Sequence, residues 1–157
     1  SVTGAPVLLV APAQLPPSTA DALDGVTEAV IVGGTAAVSE HVAGHVAEHA
    51  GSTRRLAGDE RYGTAVAVAA DLLGQGVALQ RVWATDGAAW ADALAAGPAV
   101  ARAGETFLLV DGAAGGSDAA TDAWLRQHAD EVEAGRVVGG SAAVGDDAAR
   151  LLAERIG

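Results

Sequence analysis

The chain has 157 residues, of which half are hydrophobic and only 3% aromatic, so it holds material for about one domain with a core of small aliphatic side chains. Its net charge is −11 and all nine cationic side chains are arginine, which makes nucleic acid an unfavourable partner because a polyanion is repelled at long range. The absence of cysteine excludes disulfides and thiolate metal sites, and no apolar run approaches the ~18–20 residues of a membrane span.

Short apolar runs rich in β-formers alternate with longer alanine-rich runs along the chain. The apolar runs predict six strands, at residues 6–10, 28–33, 54–58, 81–85, 106–110 and 135–139. The alanine-rich runs predict helices at residues 18–23, 39–51, 59–74, 90–104, 117–132 and 146–157. We expect Ser18 and Ser39 to act as N-caps and Pro98 to kink or split its helix. Continuously apolar strands that alternate with helices predict an α/β fold, with a parallel sheet covered on both faces.

One segment of the chain occurs twice. Residues 32–51 align without a gap with residues 138–157, at an offset of 106, and ten of the twenty positions are identical. Upstream of each copy, the similar runs VLLV and FLLV occupy residues 7–10 and 107–110. Residues 54–103 have no counterpart, so we predict that residues 1–53 are the C-terminal half of one module and residues 54–157 a complete one. The two can together form one compact domain.

The duplicated segment opens on a pair of glycines, Gly33-Gly34 in one copy and Gly139-Gly140 in the other. Each pair follows a predicted strand and precedes a helix, where free N–H groups can bind a phosphate or the chain can simply turn tightly. Neither G-x-G-x-x-G nor a P-loop is present, and there is no lysine to reach a phosphate. The pattern favours a tight turn, although a nucleotide-binding or enzymatic domain stays open as an alternative.

Four motifs, in order, resemble the cell wall binding repeat 2 family of Gram-positive surface proteins and amidases. They are RLAGDERYGTA at residues 55–65, ATDGAAWADALAAGPAVA at residues 84–101, FLLV at residues 107–110 and VVGGSAAVG at residues 137–145. The family pattern Gly-x-x-aromatic-x-Asp-Ala-Leu is matched from Gly87 to Leu94. Asp86 stands where the family usually has Thr, and Trp90 replaces the usual Phe.

This resemblance implies a three-layer, Rossmann-like sheet built from repeated modules that pack side by side around a pseudo-threefold axis. It also implies a secreted protein, of actinobacterial or other Gram-positive origin, that is anchored at the cell wall without catalysis or cofactor. The implied partner is an anionic, teichoic-acid-like wall polymer. No basic-then-apolar segment follows Ser1, so we expect an export signal to have been removed or to lie upstream. A third hypothesis is a structural domain that forms homo-oligomers or packs on sibling modules.

The candidate ligand-binding cations lie at or just after a predicted strand end, where open α/β sheets bind ligands. Arg55 and Arg61 can grip a phosphate or carboxylate, and Tyr62 can stack on a sugar. The alternative for Arg61 is an internal ion pair with Asp59 or Asp92 that fixes the turn.

Asp59, Asp86 and Asp92 are expected at the same edge, as a carboxylate cluster of the kind that serves as an acid–base pair or holds a divalent cation bridging protein and polymer. The alternative is that Asp92 caps its helix or pairs with an arginine. Trp90 can line a sugar-binding crevice or anchor a module interface, whereas Trp83 is expected in the core.

His41, His45 and His49 share one helical face at zinc-binding spacing. Because the second copy has Asp147, Leu151 and Arg155 at these positions, we expect no metal site there. No Ser-His-Asp or Cys-His arrangement can be argued, and Ser39 and Ser117 lack the context of a nucleophile elbow.

Overall fold

The computed structural model describes residues 3–113 and 118–156, which form five strands and six helices. In chain order the elements are α1 Pro17–Leu23, β1 Ala29–Val32, α2 Glu40–His49, β2 Thr53–Leu56, α3 Arg61–Gly74, β3 Arg81–Asp86, α4 Trp90–Ala103, β4 Thr106–Val110, α5 Ala119–Gln127, β5 Ala134–Val138 and α6 Asp146–Ile156. Every strand pairing is parallel. The predicted α/β class, with parallel sheets flanked by helices, is therefore confirmed.

The strands form two sheets. One has the order β1-β2 and the other β4-β3-β5, with β3 in the middle. In the larger sheet Trp83 lies between Phe107 and Arg136, and Ala84 lies between Leu108 and Val137. Because the strands are parallel, their carboxyl ends all lie at one edge of this sheet.

Helices cover both faces of the three-stranded sheet. On one face Val82, Ala84 and Leu108 are fully buried in a cluster with side chains from α3, α5 and α6, which include Ala69, Trp124, Leu125, Ala148 and Leu152. Helix α4 contacts all three strands but contributes no residue to that cluster, which places it on the opposite face. Its buried residues Ala96 and Val100 lie one turn apart on a single stripe of the helix.

Helices α1 and α2 cover one face of the two-stranded sheet. Ile31 of β1 packs with Leu23 of α1 and with Val42 and Val46 of α2 in a second, smaller cluster. The opposite face presents Val30 and Val32 to solvent.

The predicted strand at residues 6–10 is wrong, because these residues are not assigned to any strand. Val7 and Leu9 are exposed, and Thr19 Oγ1 donates a hydrogen bond to the Leu9 carbonyl, 3.0 Å away. An extended segment becomes a strand only when a neighbour pairs with its backbone groups, and none of the described strands pairs with this one.

Several helix boundaries also differ from the prediction. Helix α1 begins at Pro17 and Ser18 is not its N-cap, because proline presets the backbone of the first helical position. Ser39 does cap α2, accepting from the Val42 N–H at 3.3 Å. Helix α4 runs unbroken through Pro98. Asp118 caps α5 by accepting from the Ala120 and Thr121 N–H groups; Ser117 lies outside the described residues.

Among the residues that the structure describes, no helix combines the length and hydropathy that crossing a bilayer requires.

Candidate functional site

The carboxyl ends of β3, β4 and β5 gather several of the predicted site residues. Asp86 ends β3, and Trp90 and Asp92 lie in the first turn of α4. Arg61 and Tyr62 begin α3, which packs against β4, and Gly139 and Gly140 directly follow β5. These residues come from four parts of the chain and meet at one sheet edge, where open α/β folds bind ligands.

A close contact between two glycines shapes the loop that places Arg61 and Tyr62. A Cβ on Gly58 would lie 2.4 Å from the carbonyl carbon of Gly63, so no larger residue fits without movement of the backbone. Thr64 Oγ1 accepts from the Gly58 N–H at 3.1 Å and donates to the Glu60 carbonyl at 3.0 Å. The Gly-x-x-x-x-Gly-Thr spacing therefore folds the loop back on the first turn of α3.

Arg61 extends from that turn towards the end of β3. Its Nη1 donates to the carbonyl oxygen of Gly87 at 2.7 Å. The ion pair with Asp59 or Asp92 left open by the sequence is not found within residues 3–113 and 118–156. The side chain is exposed, and a guanidinium has five N–H donors, so donors remain for a ligand.

The Tyr62 ring lies against the backbone of Gly87. A Cβ on Gly87 would come within 2.6 Å of Tyr62 Cε1, so this glycine lets the ring pack closely over the end of β3. Burial raises the pKa of Tyr62 above its ordinary value, and the nearby negative charges of Asp111 and Asp86 raise it further. The pKa of Tyr62 therefore depends on the negative charge at this sheet edge.

Asp86 is buried and joins two loops of the edge. Its Oδ1 accepts from the N–H groups of Ala88 and Gly112, both at 3.2 Å. It thereby links the loop after β3 to the loop after β4. Both of these partners are backbone groups, which supports a role for Asp86 in holding the edge together.

Asp92 does not cap α4, since Ala89 occupies the N-cap position and makes no side-chain bond there. The carboxylate instead lies beside the corner after β5, where its Oδ2 is 3.0 Å from the position a Cβ would take on Gly139. The described residues contain no group of three or more histidine or acidic side chains placed to hold a metal ion.

Trp90 and Leu94 form an exposed apolar pair next to this edge. They are 71% and 68% exposed and lie one turn apart on α4. The indole of Trp90 is therefore exposed at the start of α4, on the same helix as Asp92 and just after the loop whose Gly87 carbonyl accepts from Arg61.

The remaining candidates lie at the carboxyl end of the smaller sheet. Arg55 Nη1 donates to the Gly33 carbonyl at 2.7 Å, and Nη2 donates to Glu40 Oε1 at 3.2 Å. Asp59 is exposed in the loop between β2 and α3. The eleven predicted residues therefore divide between two sheet edges, and the guanidinium of Arg55 already has two partners. The expected cluster of Asp59, Asp86 and Asp92 is wrong, because Asp59 follows β2 of the smaller sheet whereas the other two lie at the end of β3 and the start of α4.

The two glycine corners have the same backbone geometry. Gly33 and Gly139 have positive φ, +116° and +121°, a conformation that side chains disfavour. In the first corner the N–H groups of residues 37 and 38 donate to the Gly34 carbonyl, and in the second those of residues 143 and 144 donate to the Gly140 carbonyl. These N–H groups are engaged within the corner, so both corners are tight strand-to-helix turns.

The other conspicuous side chains are bonded elsewhere. The His49 ring pairs with Asp24 at 2.7 Å and the His45 ring with Glu48 at 3.1 Å, and the rings of His41 and His45 meet edge to face. The expectation that Trp83 lies in the core is wrong: it is half-buried on the sheet face that carries α4, where its indole N–H donates to Glu105.

The sequence predictions missed Asp111 and Gly112. A Cβ on Gly112 would lie 1.9 Å from the Ala143 carbonyl oxygen, so the loop after β4 contacts the corner after β5 directly. A signal was present, because Asp-Gly follows both apolar strands, as Asp86-Gly87 and as Asp111-Gly112.

Comparisons with known proteins agree with this arrangement. The family model for cell wall binding domain 2 (CWB2) matches residues 55–149. Among solved structures, Cwp6 from Clostridium difficile is similar with a TM-score of 0.79 and 18% identity, over 91% of this chain and 22% of that one. Cwp8 from the same organism has a TM-score of 0.66 and 20% identity, over 83% of this chain and 20% of that one. None of the curated protein sequences is significantly similar to this chain.

The two solved neighbours establish the fold, and the chain spans about a fifth of the length of each. The family model covers more than half of the chain, including Arg55, Arg61, Tyr62, Trp90 and the second glycine corner. This supports a cell wall-binding role and association with the cell surface. The chain belongs to the cell wall binding domain 2 family.

Proposed function

We propose that this chain is a non-catalytic module that attaches a secreted protein to the cell wall by binding an anionic, teichoic-acid-like secondary wall polymer. The observation that carries the proposal is the edge of the three-stranded sheet, where the guanidinium of Arg61 binds the loop after β3 and the exposed indole of Trp90 begins the helix that follows this loop, in a cell wall binding fold. Both groups are accessible to a long polymer, which an enclosed pocket would exclude.

Arg61 supplies the contact with the charged groups of the polymer. The Gly87 carbonyl orients the guanidinium through one N–H group, and the other donors can bind a phosphate or carboxylate in a forked arrangement. A surface arginine that is already oriented loses less side-chain entropy on binding than a free one does.

Trp90 supplies the contact with sugar rings. An indole presents a flat apolar face on which a pyranose can stack, and Leu94 extends this apolar surface by one helical turn. A repeating polymer of charged and sugar groups matches such a pair better than a small anion does.

The acidic surroundings of the site limit the strength of binding. The chain carries −11 net charge, and Asp86, Asp92 and Asp111 lie at the same edge. Repulsion of an anionic polymer falls with ionic strength, and a divalent cation between polymer and carboxylate would reduce it further. We therefore expect added Ca²⁺ or Mg²⁺ to increase retention on the wall.

A sedimentation assay with purified cell walls tests the proposal. The chain should co-sediment with intact walls and stay in solution once the secondary polymer has been extracted with acid. Equal retention on both preparations would show that peptidoglycan itself is bound, and retention on neither would remove the wall-binding role from this chain. Parallel samples with EDTA measure the contribution of divalent cations.

A further inference from the structure

Helix α2 carries three of the four histidines of the chain on its outer side. Val42 and Val46 of this helix are buried against the smaller sheet, whereas His41, His45 and His49 are exposed or partly exposed. Side chains four positions apart lie one above the other on a helix. None of these histidines belongs to the proposed wall-binding edge at the ends of β3, β4 and β5.

The rings of His41 and His45 already lie close together. Their centres are 4.5 Å apart and their planes are at 87° to each other. An ion about 2.1 Å from the Nε2 atom of each ring, with the two bonds at about a right angle, would hold the ring centres about 4.6 Å apart. The observed separation therefore matches that of two imidazoles bound side by side to one metal ion, and exposed side chains can rotate to direct both nitrogen atoms at it.

Glu48 gives His45 the tautomer that metal binding requires. Glu48 Oε2 lies 3.1 Å from His45 Nδ1, and because an ionised carboxylate only accepts hydrogen bonds, Nδ1 carries the proton. The lone pair of the neutral ring is then on Nε2. Histidines that bind metal ions almost always donate their other N–H to a carboxylate, a carbonyl or water, which fixes the ring and raises its basicity.

His49 is directed elsewhere. Its Nδ1 lies 2.7 Å from Asp24 Oδ1, beside the end of α1. In residues 3–113 and 118–156 no third histidine or acidic side chain joins His41 and His45 in a group placed to hold a metal ion. The pair would therefore supply two ligands, and water would fill the other coordination positions.

The duplicated segment shows that packing does not require these histidines. Val42 and Val46 correspond to Ala148 and Leu152 of α6, and all four are buried. His41 corresponds to the exposed Asp147. The difference between the copies argues against a metal site that the fold itself needs, and it does not bear on a site that α2 alone carries.

We propose that His41 and His45 form a surface site for one divalent transition-metal ion of the Zn²⁺ or Cu²⁺ kind, with Glu48 as a positioning residue. Imidazole is a good ligand for these ions, whereas Mg²⁺ and Ca²⁺ prefer oxygen ligands. The net charge of −11 attracts cations to the surface. The site is on α2, so it stands whether or not the chain binds a wall polymer.

Calorimetric titration of the 157-residue chain with Zn²⁺ tests the site. The wild type should bind one ion, and H41A and H45A should each weaken binding at least about tenfold. The matched control is H49A, which should bind like the wild type because His49 is directed at Asp24. No binding by the wild type at millimolar Zn²⁺, unchanged binding in H41A or H45A, or an equal loss in H49A would overturn the proposal.

Two further measurements separate the site from general binding to a negative surface. An excess of Mg²⁺ should not compete with Zn²⁺, because oxygen ligands take no part; competition would identify carboxylates as the ligands and overturn the proposal. With Cu²⁺, electron paramagnetic resonance should show two imidazole nitrogens in the wild type and one in H45A. E48Q should retain both nitrogens and bind more weakly, and wild-type affinity in E48Q would overturn the role of Glu48. Circular dichroism without metal checks that each variant is folded.

Discussion

Gly112 lies so close to Ala143 that a Cβ on the glycine would be 1.9 Å from the alanine carbonyl oxygen. This contact brings the loop after β4 against the corner after β5. We therefore expect G112A to destabilise the fold by about 3 kcal/mol, because backbone has to move at an edge that Asp86 also holds. Urea denaturation measures the change. The control is G140A, whose Cβ would meet nothing within 4 Å; similar losses in both variants would contradict this explanation.

Two fully buried threonines provide a test of hydrogen bonding in the core. Thr121 Oγ1 donates to the Leu109 carbonyl at 2.7 Å, whereas Thr106 Oγ1 has no partner among the described residues. T121V should lower the free energy of unfolding by about 1–2 kcal/mol, because it leaves a buried carbonyl without its donor. T106V should be neutral or stabilising, because it removes a hydroxyl that is buried without a bond. Thermal unfolding of both variants at one pH measures their stabilities. A T106V variant that is less stable than T121V would contradict this assignment of the two hydroxyl groups.

The single tyrosine of the chain makes the sheet edge accessible to titration. Burial, with the charges of Asp111 and Asp86, raises the pKa of Tyr62. Absorbance of the phenolate near 295 nm should therefore rise at a pH above that of free tyrosine. D111N should move the midpoint part of the way back, because burial remains. An ordinary midpoint in the folded wild-type chain, checked by circular dichroism, would show that the ring is not packed over Gly87.

Asp122 makes stability dependent on pH in the acidic range. Hydrogen bonds from Arg155, at 2.6 Å, and from Arg126, at 2.8 Å, lower the pKa of Asp122 below its ordinary value. Since the folded pKa is the lower one, the stabilisation is complete above the unfolded pKa and is lost as the pH falls through the folded pKa. D122N should therefore be less stable than the wild type near pH 7, and the difference should shrink near pH 3.

The exposed pair of Asp147 and Arg150 provides the comparison for Asp122. Solvent screens this pair strongly, so D147N should change the urea midpoint little at either pH. If D122N and D147N had the same small, pH-independent effect, the hydrogen bonds of Asp122 to α6 and α5 would contribute nothing to acid sensitivity.

Wall binding should depend on Arg61 and Trp90. R61A and W90A should each weaken co-sedimentation with polymer-bearing walls about tenfold, through loss of a charge-assisted contact and of a stacking surface respectively. The matched control is R102A, an exposed arginine at the far end of α4, which should bind like the wild type. L94A removes only the extension of the apolar surface beside Trp90, so it should weaken binding less than W90A does. Equal losses in R61A and R102A would indicate a response to net charge alone.

Much of the fold was predictable because it depends on local patterns. Five of the six predicted strands appear at or near their predicted positions, since runs such as FLLV are apolar throughout and are bounded by polar or glycine residues. The Ser39 cap and the glycine corners could also be predicted from the sequence, because they depend on residues within a few positions of one another. The convergence of Arg61, Tyr62, Asp86 and Asp92 followed from the topology, since parallel strands end at one edge.

Which strands pair, and which side chains meet, was decided by the tertiary structure. Residues 7–10 have a sequence as suitable for a strand as that of β4, yet they lack a neighbour and stay unpaired. Arg55 and Arg61 lie six positions apart, but one donates to Gly33 beside the small sheet and the other to Gly87 beside the large one. The physical reason is that periodicity and turn residues act over one helical turn or strand, whereas backbone pairing and close contacts join atoms that are distant along the chain.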